Sequence, residues 1–240
     1  MEHLPQVDDR SHLARPERRL AWARGVLARR QPDYRFRWEI YFDRLGELAR
    51  SASSFLDAGC GDNKTASQLS GPRLSIGVDI SPHPVDGLAV SARLEQLPFR
   101  DGAFDLVGCR YVVEHLEHPI SVFTELQRVM RPQGRLLIQT VNRQSPLIMI
   151  SRLLGNRMRQ FVVRRRYGRN PSDIFLLFDR FNTPVLLENP PAAFRLISVR
   201  YTQDVDVESR LGFWLTYLLL LWAKRHPQRS STLTVEWERV

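Results

Sequence analysis

The sequence predicts an α/β fold in which helices flank a mostly parallel sheet of seven strands. Two observations carry it. Over residues 55–80, a short apolar run ends in an acid and a glycine turn, a helical pattern follows, and a second apolar run ends in another acid. That is a β-loop-α-β unit with a ligand crevice at the carboxyl ends of its strands. Beyond it, apolar runs keep alternating with helical periodicity in a chain of 240 residues, 43% of them hydrophobic, which suits one domain with a full core.

The elements are taken in chain order. Residues 1–15 are expected to be loosely attached. Pro16 to Arg30 reads as a basic helix with Leu20, Trp22, Ala23, Val26 and Leu27 apolar. Phe36 to Leu48 reads as a second helix, with Phe36, Ile40, Leu45 and Leu48 partly periodic. Phe55 to Ala58 is the first strand, Lys64 to Leu69 a short crossover helix and Leu74 to Asp79 the second strand. Ser81-Pro82-His83-Pro84 forbids an immediate helix, so a short third strand is placed at Leu88 to Ser91. Phe104 to Cys109 is the fourth strand.

Pro119 to Met130 is an amphipathic helix with Ile120, Phe123, Leu126, Val129 and Met130 inward. Arg131-Pro132-Gln133-Gly134 is expected to break it and turn into the fifth strand, Arg135 to Val141. Residues 143–180 are basic and apolar together. Thr183-Pro184 supplies a cap and an N1 proline for a helix to Glu188. Asn189-Pro190-Pro191-Ala192 reads as a turn, and Phe194 to Tyr201 and Thr232 to Glu238 are the last strands. Leu211 to Ala223 is apolar all round but shorter than the ~20 residues that span a bilayer. It is either a core or lid helix, or an interfacial helix with tryptophans and basic residues at its end.

The glycine turn asks for particular residues. Gly59 and Gly61 remove side chains where the backbone turns sharply and approaches a ligand. Asn63 tolerates a left-handed backbone and can stand where a third glycine often sits. Asp79, about 20 residues on, can accept hydrogen bonds from ribose hydroxyls. A dinucleotide fingerprint wants glycine at Lys64, and Asp57 beside the loop suits a cationic ligand better than a pyrophosphate.

With these residues the chain resembles the class I S-adenosylmethionine-dependent methyltransferases, of the methyltransferase type 11 kind. Asp57-Ala58-Gly59-Cys60-Gly61 is similar to the first motif of that family, and Asp79 to its second-strand acid. The run Leu97-Pro98-Phe99 to Phe104-Asp105 is similar to the approach to the fourth strand. Glu114-His115-Leu116 and the stretch from Leu126 to Ile138 match the family's next helix and fifth strand. The resemblance implies a Rossmann-like seven-stranded sheet, S-adenosyl-L-methionine as cofactor, and N-terminal helices and an insertion after strand five that form a lid. It divides the chain into a basic helical extension (1–50), a cofactor-binding core (51–142) and a substrate-covering insertion with the rest of the same domain (143–240).

The resemblance also implies site residues. Asp57, Gly59, Cys60, Gly61, Asp79, Ile80, Leu94, Glu95 and Cys109 would hold the cofactor, and Arg110 and Tyr111 would wall the substrate. From their place on the turn after the fourth strand, His115 or Glu114 would act as the base for an oxygen or nitrogen acceptor, or His115 only caps or packs that helix. Many relatives place an acid at the position of Arg93 to hold adenine; here backbone groups or Glu95 would do so. Tyr34, Trp38 and Tyr41 either line the pocket or pack the lid on the core.

Two cysteines give neither a disulfide framework nor zinc spacing, and no metal is expected. The Arg-rich N-terminus has no apolar core and implies no secretory signal. A cytoplasmic protein is expected, with peripheral attachment to the inner membrane surface as a further option. The net charge of +9 admits nucleic acid, anionic lipid or an acidic substrate as partner, or is a solvated basic surface. Methyl transfer to a small, hydrophobic or lipid-linked acceptor is the leading function. An RNA methyltransferase and a non-catalytic interaction protein at a membrane surface are the alternatives.

Overall fold

The computed structural model describes residues 14–84, 86–153 and 177–240. Expectations for residues 1–13 and for much of the 143–180 insertion lie outside the described residues. The strands are β1 (Ser54–Ala58), β2 (Leu74–Asp79), β3 (Leu88–Ser91), β4 (Phe104–Arg110), β5 (Met130–Val141), β6 (Phe194–Thr202) and β7 (Thr232–Arg239). They form one sheet in the order β3-β2-β1-β4-β5-β7-β6. β1 to β5 pair in parallel, and β7 runs antiparallel between β5 and β6. β6 therefore points the same way as β5, so strands one to six all end on one edge of the sheet.

The helices are α1 (Ala14–Arg30), α2 (Arg37–Ala49), α3 (Lys64–Gln68), α4 (Pro119–Val129), α5 (Pro146–Leu153), α6 (Pro184–Glu188) and α7 (Arg210–Ala223). Strand alternation splits the core into two faces. On one face Phe55, Leu106 and Leu137 lie under Tyr41, Leu45 and Ala49 of α2 and Ala66 of α3. On the other, Leu56, Val107, Leu136 and Ile138 pack with Phe123 and Leu126 of α4, Leu187 of α6 and Trp237 of β7. Trp237 is wholly buried, and its indole N–H donates to the Leu187 carbonyl at 2.9 Å, so its one polar group is satisfied. A third cluster joins α1 to α7 through Ala23, Val26, Leu27, Phe213, Tyr217 and Leu220.

Two local expectations are corrected. Ile120 is exposed, because the buried stripe of α4 is Val122, Phe123, Leu126 and Val129. Residues 131–134 do not leave the sheet: Met130 pairs with Phe104, and the register slips before Arg135 pairs with Leu106. Gln133, at φ 65°, absorbs the extra length, so the proline and glycine mark an irregularity within the strand.

A row of ion pairs crosses β5, β7 and β6 beside α2. Arg44 and Arg135 each pair with Glu236 at 2.8 Å, Arg135 also pairs with Glu238 at 2.8 Å, and Arg195 continues the row on Glu238. Glu236 is 1% exposed, and flanking guanidinium groups are what allow a carboxylate there. Part of the arginine content is thus internal pairing; Arg24 with Glu39 (2.6 Å) and Arg37 with Asp204 (2.7 Å) are further cases.

α7 starts at Ser209, whose hydroxyl accepts from the Gly212 amide at 3.0 Å. Ser209→Ala is expected to cost about 1 kcal/mol, read as a shift of the urea midpoint at constant slope.

Candidate active site

The glycine turn leaves β1 on the edge where the parallel strands end. Gly59 has φ +82°, and a Cβ there would lie 2.2 Å from Cγ2 of Val112. Gly61 has φ +53°, but a Cβ there would meet nothing within 4 Å. Asn63, at φ 61°, takes the left-handed position expected of it. Its buried side-chain amide donates to the carbonyls of Asp86 (2.8 Å) and Leu88 (3.1 Å), which ties the turn to the entrance of β3.

Asp57 shares the α2 face with Phe55 and is only 4% exposed. Burial pushes its carboxyl up to about 7, against the opposing pull of the Arg110 guanidinium and the Thr65 hydroxyl. Asp62 and Asp79 add to the upward push. Asp79 ends β2, accepting from the Gly61 amide at 3.0 Å and from the Ser81 amide at 3.1 Å. Each carboxylate oxygen keeps lone pairs for a further donor. Ile80 beside it is 55% exposed.

The other expected cofactor residues separate. Cys60 is buried in the turn, and burial followed by the nearby acids pushes its thiol up to about 12, so it is no nucleophile. The Cys109 side chain points into the core on the α4 face, away from Arg110, and burial raises its thiol as well. Only its backbone borders the strand ends. Leu94 packs into the same core, while Glu95 is half-buried and meets the exposed Arg93 at 3.5 Å.

Arg110 closes β4 on the face of Asp57. Its Nε donates to Gln139 at 3.3 Å, and its guanidinium lies over the rings of Phe42 (4.9 Å), Tyr111 (5.2 Å) and Tyr41 (5.8 Å). The buried hydroxyls of Tyr41 and Tyr111 have no hydrogen-bond partner among the described residues. Burial pushes both hydroxyls upward, Tyr111 to about 12, so both remain protonated donors. Tyr111 itself sits at φ 57° and is pinned by its amide to the Gln139 carbonyl at 2.7 Å. The donors of Arg110, Tyr41 and Tyr111 thus gather beside the Asp57 carboxyl.

Val113–His115 forms a short 3-10 turn. Glu114 is 3% exposed, and its carboxylate accepts from the Thr140 hydroxyl at 2.7 Å. Burial pushes it up to about 7. Its carbonyl accepts from the amides of Phe178 and Asp179, both at 3.0 Å, so Glu114 fastens the turn to β5 and to the end of the 143–180 insertion. His115 is half-buried on the same turn.

Tyr34 and Trp38 pack on Phe36 at 5.2 and 4.3 Å between ring centres, next to the α1–α7 cluster, which is the packing alternative. Tyr41 combines both roles: it is a core residue whose hydroxyl comes next to Asp57 and Arg110. The space for it is Gly108, where a Cβ would stand 2.8 Å from that hydroxyl. A glycine inside the β4 run was the available signal. Thr65, Gln139 and Thr140 carried none, because their partners are distant in sequence or hidden by the turn.

A glycine turn between two strand-end acids, on a parallel sheet with one reversed strand, is a Rossmann-like arrangement suited to a nucleotide cofactor. Residues 56–138 match the Methyltransferase domain family, and these matches support a class I S-adenosylmethionine-dependent methyltransferase. It is 36% identical over 109 residues to malonyl-[acyl-carrier protein] O-methyltransferase of Herminiimonas arsenicoxydans, covering 41% of this chain and 42% of that protein. It is 28% identical over 191 residues to the mitochondrial ubiquinone biosynthesis O-methyltransferase of Schizosaccharomyces pombe, covering 70% and 68%. The first of these matches thus spans less than half of the relative's length. In fold it is similar to a SAM-dependent methyltransferase from Archaeoglobus fulgidus, with a TM-score of 0.51, 14% identity and coverage of 84% and 92%.

S-adenosyl-L-methionine is the cofactor that this family and fold imply. The residues present fit it. A buried carboxyl forced towards neutrality wants a cationic neighbour, the turn at Gly61 is open to an approaching ligand, and Asp79 has spare acceptor capacity for ribose hydroxyls.

Proposed function

We propose that this chain transfers a methyl group from S-adenosylmethionine to a small hydrophobic or lipid-linked acceptor that carries an acidic group, by O- or C-methylation. The observation that carries it is the Arg110 guanidinium, held between aromatic rings beside Asp57 with two buried tyrosine hydroxyls unpartnered around it. Such a set of donors suits a carboxylate or phenolate on an otherwise apolar molecule. The relatives for malonyl-[acyl-carrier protein] and for ubiquinone biosynthesis support an acceptor of that kind.

Asp57, Gly59, Gly61, Asp79 and Ile80 hold the cofactor, which supplies an activated methyl group when bound. The protein's own work is orientation and exclusion of water, which lowers the barrier substantially. His115 takes the acceptor's proton where there is one to take, and Glu114 positions the turn that carries it. A lipid-linked acceptor would be met at the inner membrane surface by a cytoplasmic enzyme, and the net charge of +9 favours that encounter. Nucleic acid is the alternative partner that the basic charge also allows.

The test is radiolabelled methyl transfer to lipid extracts and to acidic phenols, with RNA as the competing acceptor. Arg110→Lys keeps the charge but loses the fork; it is expected to raise KM for an acidic acceptor by roughly 10-fold or more while cofactor affinity changes little. Equal KM values for the two proteins, or labelling of RNA alone, would reject this acceptor.

A further inference from the structure

The outer face of α7 holds none of the residues placed at the candidate site. Phe213, Tyr217, Leu220 and Ala223 turn inward against α1, leaving Leu211 (72%), Trp214 (39%), Leu215 (56%), Leu218 (61%), Leu221 (40%) and Trp222 (39%) exposed. At 100° per residue these six fall within an arc of roughly 120°, so they form one stripe. No charged residue interrupts the helix between Arg210 and Lys224. Stripes this apolar on a folded surface mark an interaction.

Basic groups rim the stripe. Arg210 stands at one end, and Lys224, Arg225 and Arg229 at the other, all exposed. Arg18, Arg19, Arg29 and Arg30 of neighbouring α1 are exposed too, with the Arg30 guanidinium over the Trp214 ring at 5.4 Å. Glu17 and Glu208 are the acids nearest in sequence to the two helices.

We propose that α7 docks this protein on an anionic lipid bilayer, lying in the interface with its leucines and tryptophans immersed and its basic rim on the headgroups. At 14 residues the helix cannot span, and among the described residues no helix is long and apolar enough to cross a membrane. Apolar immersion plus basic attraction is the pattern of an interfacial helix. A second copy is the poorer occupant, since stacking two α7 stripes brings the basic ends of both into contact. The position has a consequence as well. α7 follows β6, whose end lies on the same edge of the sheet as the ends of β1 and β4, and the Tyr34 hydroxyl donates to the Gln203 carbonyl to tie the α1–α2 link to that connection. Docking would therefore bring the crevice edge towards the bilayer.

The test is co-sedimentation of the full chain with phosphatidylcholine vesicles, with and without phosphatidylglycerol. Binding is expected to the mixed vesicles, about tenfold weaker to pure phosphatidylcholine and about tenfold weaker in the Leu215→Gln/Leu218→Gln variant. Quenching of tryptophan fluorescence by brominated lipid gives a second reading that needs no variant. Cofactor titration of both proteins shows that they are folded and keeps this question separate from methyl transfer. Undiminished vesicle binding by the variant, absence of binding at low salt, or a stable dimer that hides the stripe from the quencher would overturn the proposal.

Discussion

Gly59→Val is expected to abolish cofactor binding and to destabilise the protein by about 2–4 kcal/mol. Two effects add. A left-handed backbone costs an L residue roughly 1–2 kcal/mol, and more when it is β-branched. The new Cβ would also stand 2.2 Å from Val112, well inside contact distance, so the turn or the segment after β4 must move by more than an ångström. Displacement of that size also costs about 100-fold in rate where it misplaces a reacting group. Gly61→Ala separates the ligand's needs from the fold's. Its φ is +53°, but its Cβ would project into open space. Stability should fall by only about 1 kcal/mol, while cofactor affinity should drop at least tenfold if the ligand packs on that backbone. Calorimetric titration beside thermal melts reads both; a Gly61→Ala protein that binds as tightly as the parent would show that the ligand does not approach there.

The same turn explains why so much was legible in the sequence. Asp57, Gly59, Gly61, Asn63 and Asp79 lie in one β-loop-α-β unit, and each residue type answers a local backbone or charge requirement. Strand ends were readable for the same reason, β2 and β3 to the residue. What stayed hidden depends on long-range packing. Tyr41 reaches the site only because α2 crosses β4 at Gly108, and Arg110 is held by Gln139 of the next strand. The proline and glycine at 132 and 134 signal a turn, yet pairing with β4 retains them in the sheet as an irregularity. α7 is apolar all round in sequence. Which half is covered depends on α1, almost the whole chain away, and the structure covers one half and leaves the other bare.

Cofactor affinity is expected to rise about tenfold per pH unit up to about pH 7 and to level off above it. The cause is Asp57, whose carboxyl is pushed from 3.8 to about 7 chiefly by burial. In the free protein this group is protonated below pH 7, whereas in the unfolded chain it has already ionised near pH 4. The folded state therefore binds the extra proton between about pH 4 and 7, and stability declines across that window as pH rises. Its contribution is fully present below the unfolded value and lost through the folded one. Glu114, also pushed to about 7, adds a slope of the same sign. A cationic ligand reverses the balance at Asp57 alone, because a positive charge beside the carboxylate favours its ionised form. Binding at pH 6 should then expel close to one proton, detectable as a dependence of calorimetric heat on the buffer's ionisation enthalpy. Asp57→Asn removes both the charge and the proton. That variant should bind the cofactor at least 100-fold more weakly, release no proton, and be more stable than the parent above pH 7 by up to a few kcal/mol. These outcomes would make the buried carboxylate a stability cost that binding requires, and a variant that bound normally with the same proton release would place the titrating group elsewhere.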